Sequence, residues 1–189
     1  MDGEQIKTGQ AIFSKFPIIE QGKIVFPNSN NNVVYADIKK GKDIIRVYNM
    51  HLQSIKISPD VNEISENIDV INKEKSQMMF IRISKAFKQQ QEQAEILKEN
   101  LKDCPYPVII CGDMNNSAFS YVYRIIKGGL NDAFEEEGKG FGQTYRFRYY
   151  PARIDYIFAD NKMKVKQFET FPEFDNSDHF PIMAKLSLD

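Results

Sequence analysis

The alternation of apolar and polar residues along the chain predicts more strands than helices. Residues 31–52 read as two strands joined by a turn at 39–42, which is the pattern of a β-hairpin. An apolar run predicts a buried strand at 107–114. Weaker strand patterns lie at 10–18, 152–160, 164–171 and 178–188.

Two segments carry helix signals. From 78 to 102 apolar residues recur at mostly three- and four-residue steps, and Cys104-Pro105 ends the pattern. The members of this stripe are Met79, Ile83, Phe87, Ala94, Leu97 and Leu101. A shorter helix is expected from near Ser117 to Gly128-Gly129, and polar residues 53–77 predict a long loop or the start of a helix. Strands in two layers with helices outside make an α/β fold.

Composition fits one soluble globular domain over residues 1–189. The chain is 27% charged, 42% hydrophobic and 12% aromatic, which excludes wholesale disorder. A net charge of -1 argues against a strongly basic nucleic-acid coat protein, although a local basic groove stays open. Cys104 and Cys111 form no CxxC pair, so we expect neither a zinc site nor a disulfide framework. No signal peptide or membrane segment is visible, which leaves the localisation open.

Two polar segments follow apolar strands in the first part of the chain. Asn49 and His51 project from one strand face, either as a polar strand end in water or as a pair reaching toward a phosphate. Asp113 and Asn115 share a face if extended geometry continues beyond the strand. Together they could position a water molecule, or one of them could cap the next helix, a role for which Ser117 is equally suited.

Two further polar segments lie near the end of the chain. Asp155 sits inside an apolar strand, where a carboxylate is costly unless it is paired. It could pair with Arg153, or it could orient an imidazole. Asp178 and His179 precede the last strand. Carboxylates suit Mg²⁺, whereas an imidazole suits proton transfer.

In this order, the segments resemble the endonuclease/exonuclease/phosphatase superfamily of deoxyribonuclease-I-like, metal-dependent phosphoesterases. The matching strings are GQAIFSKFPI, RVYNMHLQS, VIICGDMNNSAFSY, RIDYIF and NSDHFPI, and they extend from about Gly9 to Leu186. The ordered set of GDMN, RIDYIF and SDHFP is specific, whereas each string alone is not. The resemblance implies a four-layered αββα sandwich of two mostly antiparallel sheets with outer helices and a site at one rim of the sheets.

The resemblance also implies roles for the matched residues. The expected catalytic residues are His51, Asp113, Asn115, Asp155 and His179. The expected contacts to substrate are Asn49, His51 and Asn115, and the expected metal ligands are Asp178 and Asp113. The cofactor would be Mg²⁺ or Mn²⁺. In this scheme His179 is the base or the phosphate-binding histidine, and Asp155 orients it.

The implied reaction is metal-dependent hydrolysis of a phosphodiester by a nuclease-type enzyme. A phosphomonoesterase or a phospholipid phosphodiesterase of the same fold is an alternative, because the fold does not select the substrate. The partner would be a phosphate-ester substrate, with nucleic acid one candidate, and the oligomeric state stays open. Arginines and aromatic residues alternate at 146–150, as in a loop that stacks on bases or in a plain solvated loop.

One departure from the resemblance lies at the start of the chain. The family pattern opens with two strands, the second of which ends in a metal-binding glutamate, and neither precedes Gly9. Glu4 follows no apolar strand and is not assigned as that ligand. We therefore expect the N-terminal part of the domain to be missing, with an apolar face and a sheet edge left uncovered. An inactive fragment or phosphate-binding module is accordingly a third functional hypothesis.

Overall fold

The computed structural model describes residues 9–55, 73–147 and 150–188. Glu4 and residues 56–72 lie outside these ranges. The strands within them are β1 Ile18–Val25, β2 Asn32–Lys40, β3 Asp43–His51, β4 Val108–Asp113, β5 Asn131–Asp132, β6 Asp155–Ala159, β7 Met163–Thr170 and β8 Ile182–Leu188. The helices are α1 Lys73–Lys102, α2 Tyr121–Lys127 and α3 Ala133–Glu137. None of these helices is long and apolar enough to cross a membrane.

The strands form one large sheet and one small sheet. In the described part of the chain the large sheet has six strands in the order β1-β2-β3-β4-β6-β5, and only the β3–β4 pair among them is parallel. The small sheet, as far as the structure describes it, is the antiparallel pair β7–β8. The predicted hairpin is confirmed, because β2 and β3 pair from Asn32↔His51 to Lys40↔Asp43. The expected α/β sandwich of two mostly antiparallel sheets is confirmed as well.

The main core lies between the large sheet and helices α1 and α2. Its largest fully buried sheet side chains are Tyr48, Met50, Ile110, Tyr156 and Phe158. Ala94 and Leu97 of α1 face them, as the helical stripe predicted. Phe87 belongs to the same helix, but its side chain is 44% exposed. The buried stripe of α1 instead runs through Ala86 and Gln90, which precede Ala94 at four-residue steps.

The opposite face of the large sheet is covered less completely. At its β6 end, Ile157 packs with the small sheet in a cluster around Ala133, Val165 and Phe168. Farther along, alternate residues of β3 and β4 are only half-buried. These are Ile45, Val47, Ile109 and Cys111. The two faces of one sheet therefore differ strongly in packing.

The strand predicted at 10–18 was wrong, since only Ile18 belongs to a strand. Residues 9–17 have no regular secondary structure. Two side-chain hydrogen bonds connect this segment to Asn49 of β3. The Gln10 amide donates to the Asn49 carbonyl at 3.1 Å, and the Asn49 amide donates to the Ala11 carbonyl at 3.2 Å. Phe13 is 94% exposed, and residues 9–17 pair with no strand that the structure describes.

Candidate active site

Three adjacent strands place polar side chains in one row across the sheet. His51 pairs with Asp113 in the parallel β3–β4 register, and Asp113 pairs with Asp155 in the antiparallel β4–β6 register. Gly112 makes this approach possible, because its φ is 124° and a Cβ there would lie 2.1 Å from the Met50 carbonyl oxygen. His51 Nε2 lies 3.7 Å from Asp113 Oδ2. Strand pairing alone thus gathers three of the predicted residues.

His179 joins this row from the segment before β8. Its Nδ1 lies 2.9 Å from Asp155 Oδ2, and its Nε2 lies 4.0 Å from Asp113 Oδ2. The alternative pairing of Asp155 with Arg153 was wrong, because the Arg153 guanidinium donates instead to Asp132 at 2.7 Å. A carboxylate on Nδ1 fixes the ring orientation and favours the tautomer that carries the proton on Nδ1.

Asn115 holds the Asp113 carboxylate in place. Its backbone N–H donates to Asp113 Oδ1 at 2.7 Å, and its side-chain amide donates to Asp113 Oδ2 at 2.9 Å and to the Leu52 carbonyl at 3.0 Å. The φ of Asn115 is 52°, a left-handed conformation that asparagine tolerates better than most residues. The helix-cap alternative for Asp113, Asn115 or Ser117 was wrong, because the hydroxyl of Ser120 caps α2.

Two predicted residues lie at the margin of the site. Asn49 shares a strand face with His51, but its amide is bonded to the segment before β1. Asp178 is exposed beside His179, and its carbonyl accepts from the Arg146 N–H at 2.7 Å. Substrate contact by Asn49 and metal binding by Asp178 therefore stay predictions.

Burial and close charges shift the proton affinities of the central residues. Burial, and next the neighbouring Asp155 carboxylate, raise the pKa of Asp113 to about 7. The hydrogen bond that the His179 ring donates to the Asp155 carboxylate raises the pKa of His179. Burial, and next the charge of His179, lower the pKa of His51. The two histidines therefore differ in proton affinity because of their surroundings.

Sequence analysis did not identify Thr144, whose hydroxyl holds the backbone at Asp155. Thr144 is fully buried, and its hydroxyl accepts from the backbone N–H groups of Ile154 and Asp155, both at 3.0 Å. Its carbonyl accepts from the Phe180 N–H at 2.7 Å. One residue therefore connects the start of β6 to the His179 segment. A single threonine in a loop offers no sequence signal for such a role.

Two buried glutamines of α1 were missed as well. The Gln90 amide donates to the carbonyls of Gln53 and Asn115 at 2.6 and 3.1 Å, and its oxygen accepts from Asn116 at 2.7 Å. Gln93 accepts from the Gln53 N–H at 2.8 Å. These bonds fix the backbone after β3 and after β4. The sequence feature that could have identified them is the interruption of the apolar stripe of α1 by these polar residues.

His51, Asp113 and His179 line a cavity of about 430 Å³, and Asp155 holds the His179 ring at its edge. Its floor is polar, with His51, Asp113, Asn115 and His179, and Phe87, Phe147 and Tyr150 form an aromatic wall. The Tyr145 ring lies 4.9 Å from the His179 ring at the same cavity.

One group of donors there suits a metal ion. Donor atoms of Asp113, Asp155 and His179 all lie within 4.8 Å of one another. Two carboxylates and room for water match the preference of Mg²⁺ or Mn²⁺ for oxygen ligands. The donor set thus fits the expected cofactor.

Several solved structures have a similar fold, and their names describe different activities. A mannosyl-6-phosphatase of Bacteroides thetaiotaomicron is 20% identical, with 91% of this chain and 67% of that chain covered at a TM-score of 0.61. TDP2 of D. rerio, complexed with a single strand DNA product, is 18% identical, with 90% and 68% covered at a TM-score of 0.62. An endonuclease/exonuclease/phosphatase from Beutenbergia cavernae is 17% identical, with 93% and 46% covered at a TM-score of 0.65.

These identities show the fold and leave the substrate open. The chain spans about two thirds of the length of the mannosyl-6-phosphatase and TDP2 structures. No curated protein matches the sequence significantly. The family-level match extends over residues 2–179 and so includes every residue of the candidate site. The chain belongs to the Endonuclease/Exonuclease/phosphatase family.

Proposed function

We propose that this protein is a metal-dependent phosphodiester hydrolase of the nuclease type. The family's members hydrolyse phosphate esters, which sets the reaction class. The observation that carries the proposal is the convergence of the Asp155–His179 pair with Asp113 at one cavity. A histidine oriented by a carboxylate, beside a second carboxylate, can bind and orient both a phosphoryl group and a water molecule.

His179 is the central residue of the proposed reaction. Because Asp155 holds Nδ1, Nε2 is the ring atom that points toward Asp113, 4.0 Å away. From there it can accept a proton from the attacking water or donate a hydrogen bond to a phosphoryl oxygen. Asp155 stabilises the imidazolium form in either case. Thr144 acts as a positioning residue, since it fixes the backbone at Asp155.

Asp113 and His51 complete the proposed substrate site. Asp113 can accept a hydrogen bond from the attacking water and hold it in line with the scissile bond. His51 stands on the other side of Asp113 and can donate to a phosphoryl oxygen. Both amide hydrogens of Asn115 are bonded, so we infer that Asn115 acts through Asp113 rather than on the substrate.

The carboxylates of Asp113 and Asp155 would hold the metal ion, with Asp178 a further candidate. When bound, the ion supplies positive charge that neutralises oxyanion charge as the ester bond breaks. This positive charge matters because the described side chains that line the cavity provide little positive charge. Among its described lining residues the one arginine or lysine is Arg153, which is already paired with Asp132. A singly charged diester therefore fits better than a doubly charged monoester.

A release assay on the purified chain tests this function. We expect Mg²⁺ or Mn²⁺ to support hydrolysis of bis-p-nitrophenyl phosphate and nicking of plasmid DNA, and EDTA to abolish both. p-Nitrophenyl phosphate and phospholipid vesicles serve as comparison substrates. Turnover that resists EDTA contradicts the metal-dependent mechanism. Faster turnover of the monoester or of the phospholipid moves the substrate class to the corresponding alternative.

A further inference from the structure

A second cavity opens directly beside the catalytic one. It has a volume of about 570 Å³ and lies between α1 and the segment 116–122 that follows β4. Phe87, Asn116 and Ser117 line both cavities. The two cavities therefore adjoin each other, and the second lies within reach of a substrate bound at His179.

Three aromatic rings in this second cavity are exposed to solvent. Phe119 is 98% exposed, and Tyr121 and Phe87 are 47% and 44% exposed. Leaving several large rings in water forgoes the free energy that their burial would give. Such exposure concentrated at one cavity is typical of a binding surface.

The remaining lining of the second cavity is polar, with one cation. Ser84 and Gln91 provide hydrogen-bonding groups beside the rings, whereas the side chains of Asn116 and Ser120 are already bonded within the protein. Lys88 lines the cavity and forms no ion pair with any residue that the structure describes. An acyl chain would leave Ser84 and Gln91 without partners, whereas a base has a π-face for the rings and an edge for the Gln91 amide. A phosphate would meet Lys88.

We propose that the second cavity binds the nucleotide next to the scissile phosphodiester of a single-stranded nucleic acid. The base stacks on Phe119, and the adjoining phosphate lies near Lys88. A single strand is required because bases paired in a duplex do not present their faces to a protein. This proposal rests on the proposed function for the position of the scissile phosphate, and it adds the substrate class and a binding site.

Direct binding tests the second cavity independently of turnover. The His179→Ala variant serves as a background with slow turnover, and fluorescence anisotropy follows a labelled oligothymidylate in the presence of Mg²⁺ before hydrolysis becomes significant. Phe119→Ala should weaken binding roughly tenfold, by the scale for base stacking on an aromatic side chain, and Phe119→Trp should restore it. Phe141→Ala is the matched control, because Phe141 is 79% exposed but lines a different cavity. Equal affinities for Phe119→Ala and Phe141→Ala overturn the proposal.

The salt dependence of binding tests the place of Lys88. Lys88→Gln should reduce the slope of log affinity against log salt by about 0.7, the amount for one contact to a single-stranded phosphate. Lys162→Gln is the control, because Lys162 is an exposed lysine in the turn between β6 and β7. If both variants keep the slope of the parent, the phosphate does not lie at Lys88 and that part of the proposal is wrong.

Turnover in the parent background separates this proposal from the proposed function. Phe119→Ala should lower kcat/KM for an oligonucleotide roughly tenfold more than for bis-p-nitrophenyl phosphate, and Phe141→Ala should change neither. Oligonucleotide binding that depends on Phe119, without hydrolysis of any substrate, refutes the enzyme and keeps the binding site. Phosphatidylcholine vesicle binding that depends on Phe119, without an effect on oligonucleotide binding, makes the cavity a lipid site and overturns the proposal.

Discussion

The two faces of the large sheet serve different purposes although the same strands build them. On the helix side, Tyr48, Met50 and Ile110 are fully buried. On the other side, the same strands carry only half-buried apolar residues and end in His51 and Asp113. Strand alternation assigns successive residues to stability and to chemistry. The comparison teaches that substitutions one residue apart should change different properties of this protein.

The largest expected effect is on stability and lies on the helix side. Ile110→Ala should lower the free energy of unfolding by about 2–5 kcal/mol, because the residue is fully buried in the main core. Ile109→Ala is the matched control, because its side chain is half-buried on the other face and should cost clearly less. Urea denaturation of both variants measures the difference. Equal losses would break the comparison between the faces.

The next effect is on activity and lies at the open side. His179→Ala should reduce kcat/KM for bis-p-nitrophenyl phosphate on the order of 10²-fold or more, by the scale for acid–base groups. The melting temperature should change little, because the side chain is 32% exposed. His51→Ala should also lower kcat/KM without unfolding the protein. If either variant loses activity only in proportion to folded protein, the site assignment is wrong.

Thr144 connects stability to chemistry, and its substitution should affect both. Thr144→Val leaves the N–H groups of Ile154 and Asp155 without their acceptor, which should cost about 1–3 kcal/mol in unfolding free energy. Because Asp155 then loses its fixed position, we expect kcat to fall more than KM rises. Thr144→Ser keeps the hydroxyl and should restore both properties. Failure of serine to restore them would show that the methyl group matters rather than the acceptor.

The smallest expected effect concerns Asp178 and the metal ion. If Asp178 is a ligand, Asp178→Asn should raise the Mg²⁺ concentration for half-maximal activity, and saturating Mg²⁺ should restore most of the rate. Asp175→Asn is the control, because Asp175 is another exposed acid in the same loop. A titration of initial rate against Mg²⁺ checks both. Identical midpoints for the two variants would remove Asp178 from the metal site.

Local sequence patterns predicted much of the fold and the polar row. Alternation and a glycine turn sufficed for the hairpin of β2 and β3. They also placed His51 and Asp113 correctly at strand ends, where pairing brings them together. The helix α1 was predicted from residue 78, but it begins at Lys73. The residues before the apolar stripe are mostly polar, so the periodicity does not mark the first turn of the helix.

The sequence could not predict the contacts that depend on distant pairing. Arg153 was considered as a partner for Asp155, but tertiary packing gives it Asp132, which lies 21 residues away. Thr144 and Gln90 act by bonding backbone groups in other segments, so no local pattern marks them. Residues 10–18 show the converse error, because an apolar run becomes a strand only where another strand is available to pair with it.

A double-mutant cycle on Asp155 and His179 tests the central claim most directly. The measured quantity is kcat/KM for bis-p-nitrophenyl phosphate in the parent, Asp155→Asn, His179→Ala and the double variant, with Mg²⁺ saturating for each, so that weaker metal binding by the Asp155→Asn variants does not enter the comparison. If Asp155 acts by orienting His179, the double variant should be no less active than His179→Ala, because the second loss has nothing left to remove. Losses that multiply fully in the double variant would contradict the account, since the two residues would then act independently.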